Sequence, residues 1–103
     1  MELVVQERLV LDDLLSTAEG DLVLLRAVRS LRQKIGFSAE EVEKIELRSE
    51  GSQVQWNEEK AGAAEIEISE AESAIVVRIF EKVSAGGKLR QVHLDLYEKF
   101  VKS

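Results

Sequence analysis

Four groupings in this chain contain residue types that can do chemistry. The first is His93, the only histidine among 103 residues. A lone imidazole with no carboxylate at ligand spacing and no Ser-His-Asp pattern defines neither a metal centre nor a catalytic one. Its place beside an apolar stripe predicts a boundary ring whose hydrogen bonding is satisfied. The second grouping is Gly86-Gly87-Lys88, which lacks the leading glycine of a phosphate loop and the Ser or Thr that follows its lysine. The third is the carboxylates: Asp12-Asp13, Glu40-Glu41-Glu43, Glu58-Glu59 and Glu65 with Glu67. They are dispersed, they lack the D-x-D-x-D-G spacing of a calcium loop, and those at helix starts are explained by capping and the helix dipole. The fourth is Arg26 and Arg29, one helical turn apart, with Leu22 and Leu25 alongside. Mixed arginine and aliphatic surface is the composition of protein contacts. These four are the candidate partner-binding residues. The competing expectation is an ordinary solvated helix face, with Leu22 and Leu25 covered by the first helix. No catalytic residue, metal ligand or cofactor is expected.

Bulk composition narrows the partner. Twenty Asp and Glu oppose 14 Lys and Arg, a net charge of −6, the reverse of what a phosphate-gripping fold needs. That balance favours a protein or basic partner. Cysteine is absent, which removes disulfides and thiol chemistry and fits a reducing compartment. No apolar run approaches bilayer length. The opening MELVVQERLV lacks the features of a signal peptide, so a cytoplasmic protein with no membrane association is expected.

The elements that would position these residues follow from periodicity. Val5, Leu9, Val10, Leu11, Leu14 and Leu15 predict a helix over 5–15, with Leu3-Val4 extended before it. Asp21 is a good N-cap for a second helix, whose buried stripe is Leu24, Val28, Leu31 and Ile35. Gly36 is expected to end it as a left-handed glycine, with Phe37 folding back. Ser38-Ala39-Glu40-Glu41 is a capping box for a short third helix. The period then becomes two. Ile45, Leu47, Val54, Trp56, Ile66 and Ile68 are expected on one buried sheet face, with Glu50-Gly51 at the turn, Leu47 opposite Val54 and Ile45 opposite Trp56. Ser69-Glu70-Ala71-Glu72 is a second capping box, opening a helix that buries Ile75, Val76, Ile79, Phe80 and Val83. A last helix over about 88–101 carries Leu89, Val92, Leu96 and Phe100. The expected fold is a single α+β domain over 1–103, in the order α-α-α-β-β-β-α-α, with a three-stranded antiparallel meander between three N-terminal and two C-terminal helices.

That order resembles a winged-helix layout, but the presumed recognition helix reads SAEEVEK and the wing tip SEGS. Acid at those positions repels phosphate, so direct duplex DNA binding is not expected. The runs QERL (6–9), AVRSLR (27–32), GFSAEE (36–41), VQWN (54–57) and LDLYEKF (94–100) together resemble a group of small uncharacterised phage-encoded proteins of about this length. The matching motifs are caps, core and turn, so the resemblance implies a phage origin and host cytoplasm but brings no functional residue with it. The expected function is a non-enzymatic phage accessory protein that binds a host or phage protein. The alternative is an acidic DNA mimic that inhibits a host nucleic-acid-handling or defence system.

Overall fold

A computed structural model describes residues 1–102, with side chains through Val101. Strand β1 (Glu2–Leu3) leads into helix α1 (Val5–Leu15), followed by α2 (Leu22–Ile35) and α3 (Ala39–Lys44). Short strands β2 (Arg48–Glu50), β3 (Gln53–Gln55) and β4 (Ala64–Glu65) precede α4 (Glu70–Ala85) and α5 (Gln91–Lys102). Helices α2, α3 and α4 start where a polar side chain takes one of their orphan amides. The Asp21 carboxylate accepts from the Leu24 amide at 2.9 Å. The Ser38 and Ser69 hydroxyls accept from Glu41 and Glu72 amides, both at 3.1 Å. Glu41 and Glu72 return the bond to the capping residues' own amides.

The buried cluster combines the predicted stripes: Leu11, Leu14 and Leu15 of α1, Val28, Leu31 and Ile35 of α2, Val76, Ile79 and Phe80 of α4, and Leu96 and Phe100 of α5. Leu3 and Ile66 join it from the two ends of a strand pair. Phe80 is fully buried and meets Tyr97 edge to face, ring centroids 5.4 Å apart. Helix α3 contributes no buried residue, so it and the following hairpin attach to the margin of this core.

The three-stranded meander is not formed. There are two separate two-stranded sheets, β1 with β4 and β2 with β3. Glu2 lies opposite Glu65 and Leu3 opposite Ala64, and the Ile66 amide donates to the Met1 carbonyl at 2.9 Å. The third strand of the expected sheet thus pairs with the chain's extended start instead of with the hairpin. The hairpin is also shifted: Ser49, not Leu47, faces Val54, and the turn is Gly51-Ser52. The expected common buried face is therefore absent. Ile45 and Ile66 are buried, Leu47, Trp56 and Ile68 are half-buried, and Val54 is exposed.

One cause lies at Glu46, the one non-glycine residue with positive φ (56°) among those described. Leu47 N–H bonds to the Val42 carbonyl at 3.0 Å, and Glu46 N–H to that of Glu43 at 3.3 Å. This is a Schellman closure of α3 with a glutamate in the left-handed position where glycine is usual. It turns the chain before the strand begins, so Ile45 ends a helix and Leu47 is not in the ladder. The end of α2 differs from expectation in the opposite sense. Gly36 has φ −67° and ψ 165°, so no left-handed cap forms there. An arginine from α1 bonds the Ile35 and Gly36 carbonyls instead.

Candidate interaction surface

Leu22, Leu25, Arg26 and Arg29 stand at i, i+3, i+4 and i+7 of α2, a continuous strip of one helix. Leu22 is 70% exposed and Leu25 40%, so α1 does not cover them. Arg26 and Arg29 are exposed, and neither has an ion-pair or hydrogen-bond partner among the described residues. Leu25 and Arg29 border a groove of about 510 Å3 between α1 and α2, with Leu15, Ala18 and Val28 among its apolar lining. Leu22 and Arg26 continue the strip beyond it. Periodicity did not single out Val23, which is 76% exposed on the first turn. Its signal was an aliphatic residue off the stripe occupied by Leu24 and Val28.

Helix α2 is tied at several points. Arg32 donates to Asp12 of α1 at 2.8 Å, and the carboxylate raises the guanidinium pKa, first through that hydrogen bond and then by its charge. Lys34 reaches the Glu67 carbonyl at 3.2 Å and the Glu72 carboxylate at 2.8 Å. At the C-terminus, Arg8 of α1 donates Nε–H to the Ile35 carbonyl at 2.9 Å and Nη2–H to that of Gly36. Its other bonds go to Glu41, at 2.8 and 3.2 Å. The guanidinium also lies over the Phe37 ring, 3.9 Å from its centroid. A cation placed at the negative end of a helix dipole, and satisfying its last carbonyls, is favourable on both counts. Arg8 is only 4% exposed. Sequence reasoning missed it, because a single Arg among aliphatic residues reads as solvent-facing.

The same arrangement recurs at three helix starts. Glu7, Glu41 and Glu72 are each the third residue of a helix and each accept from the capping residue's amide. Each also receives a cation from another helix: Lys99 of α5 at 2.9 Å, Arg8 of α1, and Lys34 of α2. Arg8 holds the Glu41 carboxyl below the usual carboxylate range, mainly through its hydrogen bonds. Lys34 does the same for Glu72, supported by the Ser69 amide.

The remaining candidates are placed apart from this surface. His93 is buried, and its Nδ1 accepts from the Arg90 amide at 2.9 Å, closing the start of α5. Gly86-Gly87-Lys88 closes α4: Lys88 N–H reaches the Val83 carbonyl and Gly87, at φ 67°, takes the left-handed position. No group of three potential metal-ligating side chains converges among the described residues. The carboxylates of α3 divide, with Glu41 engaged by Arg8 while Glu40 and Glu43 are exposed. Glu46 bonds the Asn57 side chain at 2.7 Å, which lowers its pKa, with Lys60 adding to the effect. No helix among the described residues is long and apolar enough to cross a membrane.

Comparison with known protein families, with curated proteins and with solved structures finds no match.

Proposed function

We propose that this chain is a non-enzymatic protein-binding module, and that the outer strip of α2 is its contact surface. The observation that carries this reading is the exposed aliphatic first turn of α2, Leu22 and Val23, continuous with two unpaired arginines. In a chain with a net charge of −6, two guanidinium groups without carboxylate partners are available to a partner's. The anchoring of α2 through Arg8, Arg32 and Lys34 means little ordering entropy is lost on binding. Arginine adds a planar five-donor fork suited to carboxylates. An accessory role for a phage in its host's cytoplasm is part of the same proposal.

The DNA-mimic alternative has less support. Mimicry needs one strongly negative face, whereas Glu7, Glu41 and Glu72 are engaged with cations at the helix joints. Direct duplex binding has little support too, since α3 presents Glu40 and Glu43 outward. The test is affinity capture from host lysate with the tagged protein and its Arg26→Glu/Arg29→Glu variant. The reading expects a specific partner retained by the former and lost by the folded latter. Undiminished retention by the folded variant moves the site elsewhere.

A further inference from the structure

We propose that the groove between the end of α1 and the α4–α5 junction is a binding site for the phosphoryl group of a small molecule, with the Nε2–H of the nearly buried His93 as its fixed donor. The groove has a volume of about 470 Å3 and is bordered by Lys82, Lys88, Arg90 and His93 on one side and by Asp13 and Glu19 on the other. It lies apart from the α2 strip, so this site is independent of the protein-contact reading.

His93 carries the assignment. The residue is 7% exposed. Its Nδ1 accepts the Arg90 amide proton, so the ring proton resides on Nε2. Nε2 has no partner among the described residues, yet no buried side-chain nitrogen or oxygen there is left unpaired. Nε2 therefore keeps an opening to solvent, and the groove is where the ring borders one. A donor held in place on a nearly buried residue at the edge of a groove has a fixed direction, and a ligand acceptor there would replace water.

The surroundings select the acceptor's charge. Lys82, Lys88 and Arg90 are exposed and without ion-pair partners. They come from the last turn of α4, the connection and the residue before α5, and His93 lies in the first turn of α5. The start of that helix brings the positive end of its dipole and the end of α4, at Val83 and Gly86, the negative end of another, so the side-chain cations set the sign of this wall. Asp13 and Glu19 form no ion pair with these cations, so they do not neutralise the cationic wall by contact. Several charge-assisted donors around one fixed neutral donor suit the multiple oxygens of a phosphoryl group better than a single carboxylate.

Because His93 is the only histidine, its ring resonances are an unambiguous reporter. Inorganic phosphate is titrated into the full chain at fixed pH and constant ionic strength, with chloride as the matched control, and the imidazole correlations are followed by NMR. The expected result is a saturable shift of the Nε2 correlation with phosphate and none with chloride. Lys82→Glu with Lys88→Glu should weaken phosphate by about tenfold or more through the loss of charge-assisted bonds. A neutral pair, Lys82→Ala with Lys88→Ala, serves if the first is unfolded by circular dichroism. Absence of a saturable shift overturns the site, as does an equal shift with chloride or an undiminished one in the folded variant.

Discussion

Arg8 of α1 and Glu41 of α3 form a two-bond ion pair across the end of α2, with the Arg8 side chain 5% and the Glu41 side chain 41% exposed. The asymmetry matters. The carboxylate keeps contact with water, while the guanidinium is committed to four protein acceptors and an aromatic ring. Removing the arginine leaves the Ile35 and Gly36 carbonyls unserved, whereas removing the glutamate charge leaves those bonds intact. Arg8→Ala should therefore destabilise by about 3 kcal/mol or more, and Glu41→Gln by about 1 kcal/mol. Arg8→Lys should not restore the loss, because an ammonium cannot present the planar fork. Urea denaturation of the three variants measures this; equal losses for Arg8→Ala and Glu41→Gln would show that the pair, not the helix end, carries the energy.

Acid should weaken the fold through the helix-start glutamates. The carboxyls of Glu41 and Glu72 titrate lower in the folded protein than in the unfolded chain. Their contribution is therefore complete above the ordinary glutamate value of about 4.3. As pH falls through that value the unfolded chain binds protons first, and the contribution declines until the lower folded values are passed. Stability measured against pH should be flat through this pair's neutral range and fall in acid. Glu41→Gln with Glu72→Gln should lower the neutral plateau and flatten the acid slope; an unchanged slope would assign the acid loss to other groups.

Gly87 should resist substitution for backbone reasons alone. A Cβ there meets nothing within 4 Å, but φ is +67°. Gly87→Ala is expected to cost about 1–2 kcal/mol. Gly62 has equally open surroundings and no such φ, so Gly62→Ala should stay within about 0.5 kcal/mol. Thermal melts of the two variants compare them directly.

Trp56 is half-buried beside a small recess that Val4, Val5 and Ala61 also line. Trp56→Ala should cost about 1–2 kcal/mol, below the 3–5 kcal/mol of a fully enclosed aromatic ring. Iodide should quench its fluorescence in the native state. A larger loss with no quenching would place the ring inside the core.

Local signals were legible in the amino-acid sequence and distant ones were not. Asp21, Ser38 and Ser69 act within three residues of themselves, so their caps could be read directly. The stripes through Ile35, Phe80 and Phe100 are helical repeats and were legible for the same reason, although Ile75 and Val83, expected inside, are only half-buried. The pairing of Glu2 with Glu65 joins residues far apart in the chain, and two-residue strands carry too little pattern to choose an edge. Glu46 defeated the strand reading because nothing marks a glutamate as left-handed in advance. The Leu22–Arg29 strip could be proposed from composition, but its exposure depends on how far α1 extends over α2, a tertiary property.

The shared glutamates at the starts of α1, α3 and α4 have a kinetic meaning. A helix whose first turn closes on its own glutamate frays as a private event. Here the same carboxylate is gripped from a second helix, so undoing any of the three first turns also loosens a neighbour's attachment. Amide protons in these first turns should then exchange with solvent in step with one another and with the core, as parts of one cooperative opening unit.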